Sequence, residues 1–344
     1  MNNINENQHY VSQVLQRRFK APNKPLYWYQ VETGEWTERS TQRAFAAKGY
    51  NQLLAGREDD NWLEAAFAKS ENHVAEVCEA LEEAARRPAT TLEEGVYRNM
   101  CRYCSFLDLI SPAAKAGAVP SLMCQLNLEL KEGGQHMLKF WQMPDETIVL
   151  FREEYARGRR LILKANNILQ IAHNVRAARE RECTYRQFGA GEWSIAESPI
   201  TLPLSDVALV PVWDTARGII EYVLPIGPHL LLECNLRTGV VLNLEEASWT
   251  RAVAARSLDQ SEADQVVDRI CASASREIVS SNILEDVAER RTRAKASGIK
   301  FHRSTNPRAV AEAGRIETDG AVTFQMVSEQ EFVEYVYSFV LPPE

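Results

Sequence analysis

Apolar residues in the middle of the chain recur with helical spacing. Over 60–87 they fall every three or four positions, which predicts one long amphipathic helix that Pro88 stops. Beyond it, Thr91 is followed three residues later by Glu94, a capping-box pattern that predicts a second helix running to Pro112. The apolar stripe of the first helix is formed by Trp62, Leu63, Ala66, Phe67, Val74, Val77, Cys78 and Leu81.

Strand patterns lie on both sides of this helical middle. Residues 25–36 contain an aromatic run and then Thr33 and Gly34, which predicts a β-hairpin with those two residues in its turn. Residues 183–245 are rich in Val, Ile, Leu, Pro and Gly, a composition typical of strands separated by tight turns. The other predicted elements are a loop or short helix at 40–53, helices at 261–282 and 284–298, and a closing strand or short apolar helix at 331–343.

This order of elements predicts an α+β fold, with a helical middle region packed on a mostly antiparallel sheet. Helices bracket the β-rich part, and neither a linker nor an internal repeat interrupts the chain, so a single compact unit is favoured over two domains. Within the one domain 1–344 we assign N-terminal strands and a short helix to 1–55, the helical region to 56–182, the β-rich region to 183–245, and C-terminal helices with a closing strand to 246–344.

The composition narrows the functional classes. The chain has 344 residues, of which 45% are hydrophobic and 25% charged, as in ordinary globular proteins. Its formal net charge of -8 gives no overall attraction for nucleic acid, which leaves only a local basic surface for that purpose. No apolar run reaches about 18 residues, and the polar N-terminus lacks the apolar core of a signal peptide. We therefore expect a cytoplasmic protein that does not associate with a membrane.

Cysteine spacing and absent motifs remove further classes. Cys101 and Cys104 have the C-x-x-C spacing of zinc sites, but the chain has no second such pair, so two buried helix cysteines are favoured. The chain contains no P-loop, no G-x-G-x-x-G and no G-x-S-x-G motif. ATPase, Rossmann oxidoreductase and α/β-hydrolase functions therefore lose their usual support.

Five residues are candidates for chemistry, beginning with His9 in the opening stretch NQHY. A neutral imidazole can act as a general base or a metal ligand, and it can equally bond to the backbone and hold the N-terminal segment on the core. Glu64 and Glu71 lie two helical turns apart, about 10 Å along the axis, where each could ligate a metal with His9. Glu197 and Arg276 could form a bidentate ion pair. For each of these residues a structural role is the favoured alternative.

Two stretches are strongly basic. Residues 152–164 include Arg159, and residues 289–303 include Arg291. Such clusters contact phosphate backbones in nucleic-acid-binding proteins. Acidic residues accompany both stretches, so ordinary solvated helix faces are the favoured alternative.

The opening NQHYVSQVLQRRF resembles the N-x-H-Y opening of the bacterial domain-of-unknown-function family 4238. The stretch with Glu64 and Glu71 is similar to that family's paired-glutamate helix. EWSIAESPI is similar to its S-D-x-P strand motif, with Glu197 in the D place, and ASASREIVSS resembles a helix motif with Arg276 in the arginine place. The family usually has proline where this chain has Ser12, and either residue starts a helix. The motifs follow the family's order over nearly the whole chain.

The resemblance implies no established reaction, so it leaves open whether the protein is an enzyme. The first hypothesis is a bacterial interaction or sensing module with an unknown protein partner, which the family's general character links to mobile-element or phage conflict. The alternative is a metal-dependent nuclease or phosphodiesterase, and only this alternative requires a cofactor, a divalent metal. Its catalytic residues would be His9, Glu64, Glu197 and Arg276, and its metal ligands His9, Glu64 and Glu71.

Overall fold

The computed structural model of the protein describes residues 7–22, 24–48, 68, 71–110, 185–214, 219–237 and 249–297. Strands β1 to β12 are Asn7–His9, Leu26–Gln30, Glu35–Arg39, Ala46–Lys48, Ala89–Thr91, Glu192–Glu197, Leu204–Ser205, Val210–Asp214, Ile219–Gly227, Leu230–Arg237, Ala252–Ser257 and Glu277–Ser280. Helices α1 to α5 are Gln13–Arg18, Val74–Ala85, Glu94–Ile110, Gln260–Ser273 and Val287–Ala296. The first part of the helix predicted at 60–87, the basic stretch 152–164 and the closing element at 331–343 lie outside the described residues.

The largest sheet has six strands in the order β5-β11-β6-β10-β9-β8. All neighbouring strands in it are antiparallel except β11 and β6, which run parallel with Ala255 opposite Ile195. The hairpin of β9 and β10 pairs the buried residues Leu224 and Leu232. The predicted β-rich region therefore supplies most of this sheet, and the α+β class with a mostly antiparallel sheet is confirmed.

A second sheet joins distant parts of the chain in the order β3-β2-β12-β7. The predicted N-terminal hairpin is present, with Leu26 opposite Arg39, and Gly34 adopts a positive φ of 71° in its turn. Glycine suits this position because it has no Cβ to clash in the left-handed region. On the other side of β2, Trp28 pairs with Val279 of β12, so a C-terminal strand completes the N-terminal hairpin.

The short strands β1 and β4 form a two-stranded sheet in which His9 pairs with Ala46. For 40–53 the pattern predicts a loop or short helix. In the described part of this range the turn at 41–45 agrees with a loop, whereas 46–48 form the strand β4. The physical reason is that β4 pairs with β1 from the opening of the chain, and the local sequence of 46–48 does not predict this pairing.

The helices α2 and α3 pack beside the large sheet. The described part of the predicted apolar stripe is buried, which confirms the helical spacing from residue 74 onward. Cys101 and Cys104 are buried in α3, and burial raises the pKa of both thiols, so they are the predicted core cysteines. The buried stripe residues are Val74, Val77, Cys78 and Leu81.

The start of α3 differs from the expectation. Thr91 lies in β5 opposite Ala252, and the helix begins only at Glu94. The first helical hydrogen bond runs from the Tyr97 N–H to the carbonyl of Glu93. The capping role predicted for Thr91 is therefore wrong, because pairing with β11 keeps its backbone extended.

The helix predicted at 261–282 is also shorter than expected. It begins with a capping box between Asp259 and Glu262 and ends at Ser273. Residues 277–280 then form β12 instead of continuing the helix. Tertiary contacts explain why the helix ends early. The carboxylate of Asp206 accepts hydrogen bonds from the backbone N–H groups of Ser275 and Arg276, and the residues that follow pair with β2. Arg276 thus lies in a turn and not on the helix expected for it.

One cluster of buried side chains connects these elements. It includes Leu15 from α1, Met100 from α3, Ile195 from β6 and Val279 from β12. The assignment of the whole chain to a single domain remains a prediction. Within the described residues, no helix combines the length and apolarity needed to cross a bilayer.

Candidate functional site

His9 is held by hydrogen bonds at both ring nitrogens. Its Nε2 lies 3.0 Å from the carbonyl oxygen of Thr41, and its Nδ1 lies 3.4 Å from the side-chain nitrogen of Gln13. A carbonyl only accepts, so Nε2 carries the proton and Nδ1 accepts from the Gln13 amide. Burial lowers the pKa of His9, although the backbone of Thr41 and Gln42 acts in the opposite direction. The ring is therefore a neutral bridge between the opening segment, residues 7–16, and the turn at 41–45.

Two further hydrogen bonds fasten the opening segment to the same turn, and a third lies within the segment itself. The Tyr10 N–H donates to the Phe45 carbonyl at 3.0 Å. The buried Gln16 side chain donates to the carbonyls of Val11 at 2.8 Å and Ala44 at 3.2 Å. Phe45 has a positive φ of 51°, an unusual conformation for a residue with a bulky side chain. These contacts hold the turn in one conformation.

A pocket of about 620 Å³ lies beside this turn. Three of its described lining residues, Arg17, Lys20 and Arg39, are cationic, and Glu38 alone among them is acidic. This excess of positive charge contrasts with the net charge of -8 on the whole protein. We call it the basic pocket; its lining residues are Arg17, Lys20, Pro25, Leu26, Glu38, Arg39, Ser40 and Thr41.

Two of the cations in the basic pocket are positioned by neighbours. The Arg39 guanidinium lies 3.3 Å from the centroid of the Trp28 ring and donates to the Arg43 carbonyl at 3.4 Å. The Arg17 guanidinium donates to Gln13 Oε1 at 3.3 Å. Because the same Gln13 side chain also bonds to His9, the ring of His9 and the charge of Arg17 share one amide.

Two carboxylates lie at the far side of the turn, the half-buried Glu277 and the buried Asp206. Glu277 accepts from the Phe45 N–H at 2.9 Å, and the neighbouring Asp206 accepts from the backbone N–H groups of Ser275 and Arg276 and from the Ser275 hydroxyl. Burial raises the pKa of Asp206 to about 6, and the Glu277 charge adds to this, although the hydrogen bonds oppose the shift. These contacts join β7, the end of α4 and β12.

Each predicted site residue in the described part of the chain has its own set of contacts. Glu71 lies shortly before α2 and close to Tyr103. Burial raises the pKa of Tyr103, and the charge of Glu71 raises it further. Glu197 is exposed at the end of β6, and its carbonyl accepts from the Leu258 N–H. Arg276 donates its backbone N–H to Asp206. In the described part of the chain, no three His, Cys, Asp or Glu side chains gather where they could hold a metal. Glu64 lies outside the described residues, so the set of ligands predicted around it remains a prediction.

The basic helix face around Arg291 is used for internal contacts. Arg291 donates to the carbonyls of Cys271 and Ala274 at the end of α4. Arg290 and Arg293 share the buried carboxylate of Asp268. These guanidinium groups hold α5 on α4. The second predicted face, near Arg159, lies outside the described residues.

Sequence analysis did not single out the basic pocket. A local signal was available, since the stretch from Arg17 to Lys24 contains four basic residues and no acidic one. Arg39 is far from this stretch in sequence, and only the hairpin brings it to the same pocket.

Residues 7–170 match the model of a family described as "Protein of unknown function (DUF4238)". The match confirms the resemblance drawn from the opening motif. It contains the whole basic pocket and the opening segment, whereas Asp206 lies beyond it. No curated protein and no solved structure matches the chain.

Proposed function

We propose that this chain, whose residues 7–170 match the model of the family DUF4238 of unknown function, is an interaction or sensing module that binds an anionic ligand in the basic pocket. The observation that carries the proposal is the convergence of Arg17, Lys20 and Arg39 on one concave site of about 620 Å³. Sites for small ligands have volumes of roughly 300–1,000 Å³ and contain a few convergent polar groups.

The fixed orientation of two arginine side chains supports the binding of an anion in the basic pocket. Arg39 is already stacked on Trp28, so less side-chain entropy is lost when it binds a ligand. Arg17 is oriented by Gln13 in the same way. Arginine forms bidentate hydrogen bonds with carboxylates and phosphates, which makes it well suited to an anionic ligand.

The contacts of His9 favour a binding module over a hydrolase built around this residue. Both ring nitrogens are engaged, one by the carbonyl of Thr41 and one by the amide of Gln13. A general base or metal ligand needs a ring nitrogen that can face its substrate or metal. In the proposed function His9 holds the wall of the pocket in place.

The wider setting of the module remains a proposal. We place it in the bacterial cytoplasm, as composition predicts, with an anion-bearing molecule or an unknown protein partner as its signal. A link to mobile-element or phage conflict is implied by the family's character. Nucleic-acid binding through the faces near Arg159 and Arg291 is the competing assignment for the protein's basic residues.

The proposal is tested by titrating the full chain with inorganic phosphate and following the heat of binding or amide chemical shifts. We expect the variant Arg17→Gln/Arg39→Gln to bind phosphate at least about tenfold more weakly, because each charge-assisted hydrogen bond is worth more than a neutral one. Arg87→Gln, which removes an exposed charge just beyond the end of α2, is the control and should leave binding unchanged. Equal binding by the parent and the double variant would contradict the proposal.

The metal-dependent alternative is tested separately. The parent and His9→Ala would be incubated with plasmid DNA and with total RNA in the presence of Mg²⁺ or Mn²⁺, after circular dichroism has shown that both are folded. Cleavage by the parent and not by the variant would make the nuclease the leading assignment. We expect no cleavage by either protein.

A further inference from the structure

We infer that the ligand of the basic pocket is a sugar phosphate, with its phosphate on the three cations and its hydroxyl groups on Glu38. The inference rests on the proposed function and adds the chemical class of the ligand. The class covers a free sugar phosphate and the ribose phosphate part of a nucleotide.

The charges of the lining residues indicate a phosphate. Arg17, Lys20 and Arg39 provide three positive charges and a large number of N–H donors. A phosphate monoester carries a charge of about -1.5 to -2 near pH 7 and has three strong acceptor oxygens. A single carboxylate would leave more of these donors without a partner.

The size of the pocket shows that an inorganic anion would leave much of it empty. A volume of about 620 Å³ lies well inside the range of sites for whole organic molecules. Pro25 and Leu26 line part of the remaining space with apolar atoms. The ligand therefore has a body attached to its phosphate.

Glu38 defines the chemistry of that body. An ionised carboxylate repels further negative charge and accepts hydrogen bonds from hydroxyl groups. Ser40 and Thr41 line the same pocket and add polar contacts.

The experiment compares four probes on the same full-length protein: inorganic phosphate, ribose, ribose 5-phosphate and adenosine monophosphate. We expect ribose 5-phosphate to bind at least about tenfold more tightly than inorganic phosphate, because the charged acceptor Glu38 adds hydrogen bonds to the sugar. Ribose alone should bind more weakly than either. Adenosine monophosphate binding more tightly than ribose 5-phosphate would identify a nucleotide, and equal or weaker binding a free sugar phosphate.

Variants separate the two parts of the ligand. Glu38→Gln should reduce the preference for ribose 5-phosphate over inorganic phosphate, without weakening the binding of inorganic phosphate. Glu35→Gln, an exposed change on the same strand outside the lining, is the matched control. Arg17→Gln/Arg39→Gln should weaken both phosphate-bearing probes.

The failures of the inference and of the proposed function can be told apart. Equal affinity of the parent for inorganic phosphate and ribose 5-phosphate would overturn the sugar phosphate and leave the anion site standing. If Arg17→Gln/Arg39→Gln binds inorganic phosphate and ribose 5-phosphate as tightly as the parent does, both the sugar phosphate and the anion site are overturned. A single-stranded RNA oligomer that binds far more tightly than any small probe, with dependence on Arg17 and Arg39, would also overturn the small-ligand assignment.

Discussion

His9 and Thr41 are joined by a hydrogen bond of 3.0 Å from the imidazole Nε2 to the backbone carbonyl oxygen. The bond connects β1 to the turn that lines the basic pocket. The Gln13 side chain donates to the other ring nitrogen of His9 and accepts a hydrogen bond from Arg17. This arrangement explains why a buried histidine precedes the first helix: the ring donates to the backbone carbonyl of Thr41 and accepts from the side-chain amide of Gln13.

The first prediction concerns the stability that this bridge provides. His9→Ala removes both hydrogen bonds and leaves the Thr41 carbonyl without its donor, so we expect the free energy of unfolding to fall by about 1–3 kcal/mol. Urea unfolding at neutral pH measures the change. His73→Ala, an exposed histidine before α2, should alter stability by no more than about 0.5 kcal/mol and serves as the control. Equal stability of His9→Ala and the parent would show that the bridge is dispensable.

The second prediction is a pH dependence that originates from Asp206. Its pKa is about 6 in the folded protein against 3.8 in an exposed setting, so the folded state binds this proton more tightly. The contribution of Asp206 to stability is therefore complete at low pH and is lost as the pH rises through about 6, by about 3 kcal/mol in total.

The variant Asp206→Asn isolates this contribution because it cannot ionise. Unfolding of parent and variant is measured at several values between pH 4 and 7, the range set by about 3.8 and about 6. His9 titrates with the opposite sign, but it does so in both proteins and cancels in the difference. The stability of the variant relative to the parent should rise with pH. A difference that stays constant across this range would refute the prediction.

The third prediction contrasts two glycines. A Cβ at Gly189 would lie 2.1 Å from the Trp249 ring, whereas a Cβ at Gly95 would meet nothing within 4 Å. Gly189→Ala should therefore destabilise the protein by about 1–3 kcal/mol through overpacking. Gly95→Ala on the exposed side of α3 should stabilise it by about 0.4–1 kcal/mol, since alanine has less freedom to lose. Thermal unfolding of the pair gives opposite shifts in Tm if this packing is correct.

The fourth prediction concerns the arginines of α5. Arg290 is mostly buried and contacts three carboxylates, including Asp268, which is itself buried. Arg290→Leu leaves the Asp268 charge poorly compensated and should cost about 3–5 kcal/mol. Arg293 contacts the same carboxylate from a half-exposed position, where water screens the pair, so Arg293→Leu should cost clearly less than Arg290→Leu. Chemical denaturation ranks the two, and an equal cost would show that burial does not set the strength of these pairs.

Local sequence patterns predicted an element correctly wherever the residues of that element are enough to make it form. The hairpin around Gly34 was predicted because the glycine and the aromatic run are adjacent in sequence. The apolar spacing of α2 identified its buried face for the same reason. Strands β4 and β12 were missed, because each is extended only by pairing with a strand from another part of the chain.

The sequence by itself determined the α+β class, the resemblance to the family DUF4238 and the place of a histidine in the opening segment for which a structural role was favoured. Each of these depends on neighbouring residues, whose order along the chain is the information needed. Only the tertiary structure decided the partners of His9 and the composition of the basic pocket. Arg17 and Arg39 belong to different elements, and the hydrogen bonds that hold the opening segment against the turn after β3 bring their charges to one pocket.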